Sequence, residues 1–409
     1  MFDTSFVFTP GKLTTVLDGG AGSSGKGKLG SFLCQHAPNW QFACNTFMPQ
    51  AGHWVRLNDG NEYLYQTFNS CAYMPDRYEK LYIAPGAAIE LPLFFAELEK
   101  NKIPRRKIGL SPLTAVVQQI DKDYEQGLTA FEGAPLEAIL PGGPLAATGS
   151  TAHGCGAARA RRVLRRGGRY AHQVPELEEF LCDVPGEIMA RLDHGQSGLF
   201  EIAQGFQLSY LLPYFFPSTT SRNCTVAAGL DDLMVPPFYA GNVVLNFRTF
   251  PIRIHSKKYV EKGTGRHLKW AEAQVAAPDT YTVEGETSGG CYEDQNEITW
   301  DDLTRMSGSP DRIEEMTSVT GLPRRVFTFS RRNVDEAVRY NRAGGEMYLS
   351  LNFADYVDRD LAGKRTRVVA PTADAVGPKL ADWLKANLDD PRLRFIGTGA
   401  KTDDMIQVG

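Results

Sequence analysis

The residues best suited to chemistry stand in one short run, Leu17-Asp18-Gly19-Gly20-Ala21-Gly22-Ser23-Ser24-Gly25-Lys26-Gly27-Lys28. Glycines followed by two lysines at a helix start make a cradle for phosphate. Exposed backbone N–H groups and the helix dipole attract the anion, and Lys26 can reach between phosphoryl groups. Gly20 to Lys26 have the spacing G-x-x-x-x-G-K, yet the next residue is Gly27, where an ordinary phosphate-binding loop carries a Ser or Thr hydroxyl for magnesium. Magnesium must then be held elsewhere. Downstream, Gln50-Ala51-Gly52-His53 is bordered by Trp54 and Val55. A histidine among apolar residues is commonly a packed core residue, but imidazole also suits proton transfer near neutral pH.

A cradle of this kind needs a strand before it and a helix after it. Residues 14–18 read as a buried strand and residues 26–35 as a helix. The alternation continues: strand at 81–84, helix at 91–100 with Pro at its second position, strand at 107–110, then strands near 198–202 and 243–247. A helix at 333–341, strands near 347–351 and 367–370, a helix at 378–388 and a strand at 393–397 complete the pattern. It predicts an α/β fold with a large, mainly parallel central sheet covered by helices, P-loop-like at its first turn. Residues 1–409 are expected to form a single domain. The polar stretch 251–311, with turn signals at Gly263, Gly265, Gly289 and Gly290, reads as an inserted lobe.

Composition narrows the function classes. With 42% hydrophobic and 22% charged residues in 409, the chain is neither disordered nor fibrous. A net charge of -4 provides no general field for nucleic acid or an anionic membrane, so small anions are the expected partners. Seven widely spread cysteines without a C-x-x-C pair read as reduced thiols, and no run of roughly 18 apolar residues occurs, so a cytoplasmic protein is expected.

Seven stretches resemble, in order, the motifs of the adenylosuccinate synthetase family. Gly22-Ser23-Ser24-Gly25-Lys26-Gly27-Lys28 is similar to the family loop G-D-E-G-K-G-K, and Gln50-Ala51-Gly52-His53 to N-A-G-H. Gly149-Ser150-Thr151-Ala152-His153-Gly154-Cys155-Gly156 resembles G-T-T-G-R-G-I-G, and Phe200-Glu201-Ile202-Ala203-Gln204-Gly205 resembles F-E-G-A-Q-G. Pro217-Ser218-Thr219-Thr220-Ser221 resembles Y-V-T-S-S, Val319-Thr320-Gly321 with Arg324 and Arg325 resembles T-T-G-R-R-R-R, and Gly397-Thr398-Gly399 resembles S-T-G.

The resemblance implies the adenylosuccinate synthetase fold and a two-step reaction. A purine 6-oxo group attacks the γ-phosphate of a nucleotide, and the amino group of L-aspartate then displaces phosphate from the 6-phosphoryl intermediate. It implies that Lys26, with the loop residues Gly22, Ser24, Gly25, Gly27 and Lys28 and the turn Gly397, Thr398 and Gly399, holds the donor and its phosphates. His53 takes the place of the histidine that polarises the 6-oxygen, and Gly52 that of a backbone carbonyl ligand to Mg2+. Gln50, Ser150, Thr151, Gln204 and Thr219 correspond to the acceptor-nucleotide site, while Val319, Thr320 and Arg324 correspond to the aspartate site. The segment Arg159 to Arg166 would in isolation read as a nucleic-acid patch. By resemblance, Arg165 instead crosses a homodimer interface to the nucleotide 5′-phosphate, a contact suited to a bidentate guanidinium.

The departures from the family pattern point to the substrate. The family's loop aspartate, which takes the N1 proton of IMP and sits on the metal, is Ser23 here. A hydroxyl is no such base near pH 7 unaided, which leaves a catalytically inactive nucleotide-binding sensor as one reading and a changed substrate as the other. Guanine carries a 2-amino group beside N1; a small, neutral Ser23 leaves room for it and can accept its hydrogen bond. A phage-type branch of the family, 2-aminoadenylosuccinate synthetase, has this exchange and uses dGMP. Leu322 replaces an arginine that reaches the ribose, in keeping with a 2′-deoxy substrate. The guanine-reading triplet K-L-D aligns with Leu351-Asn352-Phe353, so loss of both charges argues for ATP or dATP as donor, with Asn352 or Phe353 facing adenine. The expectation is a ligase joining L-aspartate to C6 of dGMP for 2-aminoadenine DNA synthesis; an IMP-using synthetase is the nearest alternative.

Overall fold

The computed structural model describes residues 2–125, 151–212, 214–254, 258–264, 267–268, 276–284, 288–316 and 324–409. Ten strands form one sheet: β1 (Leu13–Asp18), β2 (Phe42–Asn45), β3 (Lys80–Ile83), β4 (Ile108–Leu110), β5 (Gly198–Gly205), β6 (Ala240–Arg248), β7 (Met347–Asn352), β8 (Thr366–Val368), β9 (Leu393–Gly397) and β10 (Met405–Val408). Their spatial order is β8-β10-β9-β7-β6-β1-β5-β2-β3-β4. Every adjacent pair is parallel except β9 with β10. Parallel strands are covered on both faces and so read as near-continuous apolar runs. All six residues of β1 and all nine of β6 are buried. This is the mainly parallel, helix-covered sheet that the sequence predicts.

Several elements extend beyond the sequence expectation for local reasons. The strand near 198–202 continues to Gly205. The helix expected at 333–341 begins at Arg331, because the Ser330 side chain caps it by accepting from the Asn333 backbone N–H at 2.9 Å. Two strands, β2 and β10, and the helices Cys155–Leu164, Val184–Asp193 and Val226–Leu233 are additions to the expected pattern.

Topology sets where a ligand can sit. The connection after β1 runs toward β2, whereas the one after β6 runs toward β7 on the opposite side. Loops that diverge from adjacent parallel strands leave a crevice at their carboxyl ends. The last residues of β1, β5, β6 and β7 share that edge: Asp18 pairs in register with Gly205 and Asn246, and Arg248 with Asn352.

Beyond β6, Ile252–Ile254 pairs antiparallel with Arg324–Phe327, and Lys258–Glu261 lies between His267–Leu268 and Tyr281–Glu284 in a second small sheet. Trp300 and Leu303, on the helix Trp300–Ser307, are buried in the main core. Among the described residues no helix is long and apolar enough to cross a membrane.

Candidate functional site

The loop leaves β1 at Asp18, which is 2% exposed. A buried carboxylate requires donors. Oδ1 of Asp18 accepts from the backbone N–H groups of Gly20 (2.7 Å) and Gly22 (3.4 Å), and Oδ2 accepts from the backbone N–H (3.2 Å) and hydroxyl (2.5 Å) of Ser24. The strand's terminal acid therefore folds the loop around itself. Gly22, Ser23 and Gly25 have φ of 92°, 53° and 87°. Glycine adopts such angles freely, whereas Ser23 does so at a cost of roughly 1–2 kcal/mol. Ser23 is exposed, and its carbonyl accepts from Arg248 Nη1 at 3.0 Å. Asp18, Gly20, Gly22, Ser24, Phe247 and Arg248 line a narrow crevice between the ends of β1 and β6. A broader depression bounded by Glu99, Arg105 and Glu179 shares no residue with the loop.

Lys26 opens helix α1 (Lys26–His36) and is 5% exposed. Its ammonium donates to the carbonyls of Ile202 and, at 3.4 Å, Gln204. Burial pulls its pKa down against the attraction of Asp18 and Glu201. His53 begins the strand His53–Arg56 and stacks on Phe47 at 4.0 Å between ring centroids. Its Nε2 is buried without a partner among the described residues. Burial, and then the charge of Lys26, hold the imidazole well below its ordinary pKa, so it is neutral near pH 7.

The glycine at position 27 has a packing cause. A Cβ there would lie 2.9 Å from the Trp54 carbonyl oxygen and 3.0 Å from His53 Cβ. Helix α1 and the strand carrying His53 touch at this point, and the loop gives up the usual hydroxyl for that contact. Among the described residues no cluster of three or more His, Cys, Asp or Glu could hold a metal ion. The donors at hand are oxygens such as the exposed Ser23 hydroxyl and the Gly52 carbonyl. That set fits Mg2+, which keeps waters and substrate phosphates and takes few protein ligands.

On the β7 side, burial lowers the pKa of Lys28 to about 8. The lysine donates to the carbonyls of Gly399 (2.8 Å) and Asp404 (2.6 Å), tying α1 to the turn Gly397-Thr398-Gly399. The Thr398 hydroxyl donates to the Lys364 carbonyl at 2.6 Å. Asn352 is 2% exposed and wedged between Gly25 and Gly397; a Cβ at Gly25 would crowd its amide at 3.2 Å, and Gly397 leaves no room for one. Its Nδ2 donates to Asn246 Oδ1 at 2.8 Å, and Asn246 Nδ2 donates to the carbonyl (2.9 Å) and hydroxyl (2.8 Å) of Ser24. A hydrogen-bonded chain Asn352–Asn246–Ser24–Asp18 thus runs beneath the loop, and the Asn352 amide nitrogen is used inside the protein. Phe353 has φ 65°, and the Arg248 guanidinium lies 3.9 Å from its ring centroid.

Around this centre, Gln50 Nε2 donates to the Thr220 hydroxyl at 3.2 Å, beside Thr219. Gln204 has φ 65° and a buried Nε2 without a partner among the described residues. Thr151 is half-buried shortly before the helix Cys155–Leu164, and Arg165 is exposed at the end of that helix. Arg324 Nε donates to the Met316 carbonyl at 3.1 Å, and its Nη1 lies 4.0 Å from Glu315. Burial would push the Glu315 carboxyl up, but Arg248 and Arg324 hold it below its ordinary value. Ser150, Val319, Thr320 and Leu322 lie outside the described residues.

Direct contacts thus join the loop, Lys26, His53, Gln204, Asn352 and the Gly397 turn. Asp18, Asn246, Arg248 and Glu315 are additions to the residues singled out by motif. A signal was present for three of them: an acid, an amide and an arginine inside the buried runs LTTVLD and AGNVVLNFR must find partners somewhere.

No protein-family model matches the chain. The N6-succino-2-amino-2'-deoxyadenylate synthase of Salmonella phage PMBT28 is 28% identical over 415 residues, covering 96% of this chain and 97% of the relative. The adenylosuccinate synthetase of Pyrococcus horikoshii is 30% identical over 241 residues, 58% of this chain and 66% of the relative. A solved structure of cyanophage S-2L succinoaminodeoxyadenylate synthetase (PurZ), bound to dGMP and dATP as an energy donor, superposes with TM-score 0.70 at 26% identity over 97% of this chain and 95% of that one. Sequence likeness runs through nearly the whole length, and the fold, with the glycine-rich loop after a central strand, is that of the adenylosuccinate synthetases: the chain is similar to the adenylosuccinate synthetase family in sequence and in fold.

Proposed function

We propose that the chain is a ligase that joins L-aspartate to C6 of dGMP, with ATP or dATP as phosphoryl donor, to form N6-succino-2-amino-2′-deoxyadenylate. One observation carries the substrate. Ser23 is exposed at the loop, while the neighbouring carboxylate, Asp18, is turned inward with both oxygens bonded to the loop's own donors. The carboxylate that precedes Ser23 in the loop is thus already paired, which suits the 2-amino group of guanine beside Ser23. Likeness to a phage synthetase solved with dGMP and dATP supports the same pair of nucleotides here.

In the first step the neutral His53 ring donates a hydrogen bond to the 6-oxygen, while Lys26 and the N–H groups at the start of α1 receive the charge that builds on the transferring phosphoryl group. The Ser23 hydroxyl and the Gly52 carbonyl would help hold Mg2+, which when bound would further neutralise that charge. Arg324, with Val319 and Thr320, orients the aspartate carboxylates so that its amine reaches C6. Gln50, Ser150, Thr151, Gln204 and Thr219 hold dGMP, and Arg165 of a second copy in a homodimer reaches the 5′-phosphate. Residues 1–409 act as one catalytic domain with 251–311 as an inserted lobe, in the host cytoplasm.

The test is a phosphate-release panel that crosses dGMP, GMP and IMP with ATP, dATP and GTP, with and without aspartate. Aspartate-dependent release is expected to be fastest with dGMP and an adenine donor. Faster turnover of IMP overturns the substrate assignment. Nucleotide binding without any aspartate-dependent release would make the chain a sensor.

A further inference from the structure

Two residues that are neither glycine nor asparagine, Ser23 and Phe353, hold φ of 53° and 65° on separate loops. One guanidinium touches both. Arg248, the last residue of β6, is 3% exposed. Its Nη1 donates to the Ser23 carbonyl at 3.0 Å and to Glu315 Oε2 at 3.3 Å, and its Nη2 donates to Glu315 Oε1. Its Cζ lies 3.9 Å from the Phe353 ring centroid. Glu315 in turn accepts from the Tyr356 hydroxyl at 3.0 Å, and its backbone carbonyl accepts from the Arg324 N–H at 3.0 Å.

A buried Arg–Glu pair is a weak device for stability, because apolar residues of the same volume do as well. Left-handed backbone at non-glycine residues persists only where surrounding contacts over-determine it, and such residues gather at functional sites. Both facts have one explanation if the pair serves geometry. We propose that Arg248 is a positioning residue that locks Ser23 and Phe353 into a single rigid unit, so that selection of the acceptor base at Ser23 and of the donor base at Phe353 depend on one side chain. Glu315 aims the guanidinium, and the half-buried Phe353 ring faces the donor base. The inference rests on the reading above, in which Ser23 faces the purine and Phe353 the donor.

Arg248→Lys tests it. The ammonium keeps a positive charge opposite Glu315, but it cannot grip Glu315 with a planar fork while holding the Ser23 carbonyl and stacking on Phe353. The dGMP-over-IMP and ATP-over-GTP ratios of kcat/KM are both expected to fall by about tenfold, the scale of a small misplacement of binding groups. A merely structural residue would lower every kcat/KM together and leave both ratios within twofold, which overturns the proposal. Phe353→Leu provides a second variant should Arg248→Lys fail to fold. It removes the stacked ring and is expected to move both ratios in the same direction, whereas a change confined to the donor ratio overturns the coupling. Absence of aspartate-dependent turnover in the unaltered protein sinks the functional reading and this inference together. Turnover with unmoved ratios sinks the inference alone.

Discussion

Replacing Gly27 by serine separates two explanations of the loop. If Gly27 merely lacks a magnesium-binding hydroxyl, Gly27→Ser restores an ordinary phosphate loop and should be harmless. The packing demands the opposite. A Cβ at this position would sit 2.9 Å from the Trp54 carbonyl oxygen and 3.0 Å from His53 Cβ, where ordinary contact begins at 3.4 Å. Helix α1 and the strand His53–Arg56 must then part by about 0.5 Å, and a backbone carbonyl has no rotamer by which to swing aside. Overpacking of this kind costs roughly 1–3 kcal/mol. Removing glycine from a helix offsets about 1 kcal/mol, so a net loss of up to about 2 kcal/mol is expected in urea unfolding. Turnover should suffer more, because the displaced strand carries His53 and a misplacement approaching 1 Å can cost about 10²-fold. Gly20→Ala is the matched control in the same loop, since a Cβ there meets only Asp18 Oδ1 at 3.5 Å. Wild-type stability together with wild-type phosphate release in Gly27→Ser would refute the argument.

Two further perturbations address the interior of the site. Asp18→Asn keeps the shape but replaces an acceptor oxygen by an N–H2 group facing the loop's own donors; a loss of about 1–3 kcal/mol in urea unfolding is expected, with weaker ATP binding by calorimetry. Unchanged values for both would show that the loop is shaped by other contacts. For His53, the folded pKa lies well below the ordinary value. As pH falls below about 6.5 the unfolded chain takes up the proton first, so the contribution of the neutral ring is complete above that pH and declines below it by up to about 1.4 kcal/mol per pH unit. Urea unfolding between pH 7 and pH 5 should therefore show a shallower slope in His53→Asn than in the unaltered protein, and equal slopes would contradict the buried, neutral imidazole.

The central strands were legible because strands of a parallel sheet are buried on both faces and announce themselves as apolar runs, as in residues 14–18 and 243–247. Phe42–Asn45 is not legible because Phe-Ala-Cys-Asn holds one strand-favouring residue, Phe42, and ends in an amide. The glycine-rich loop was legible for another reason: glycines followed by a helix present N–H groups through local geometry alone, whatever surrounds them. Gly27 was misleading on its own, because its cause lies in the carbonyl of Trp54 on a different element. Asn352, named together with Phe353 as a candidate to face adenine, has its amide nitrogen on Asn246.

By itself, then, the sequence determined the helix-covered parallel sheet, the glycine-rich turn into a helix at Gly22–Lys28 and the absence of an acid at Ser23, since each follows from local pattern or residue type. Only the tertiary structure decided that Asp18 is saturated by the loop it precedes, that Asn352, Asn246 and Ser24 form one chain, and that Arg248 spans Ser23 and Phe353. Apart from Asp18 and the loop that follows it, those partners stand roughly 100 to 225 positions apart in the chain and meet because parallel register brings the ends of β1, β6 and β7 to one edge. Hydrogen-bond partners across a sheet are set by register, which no spacing along a single segment records.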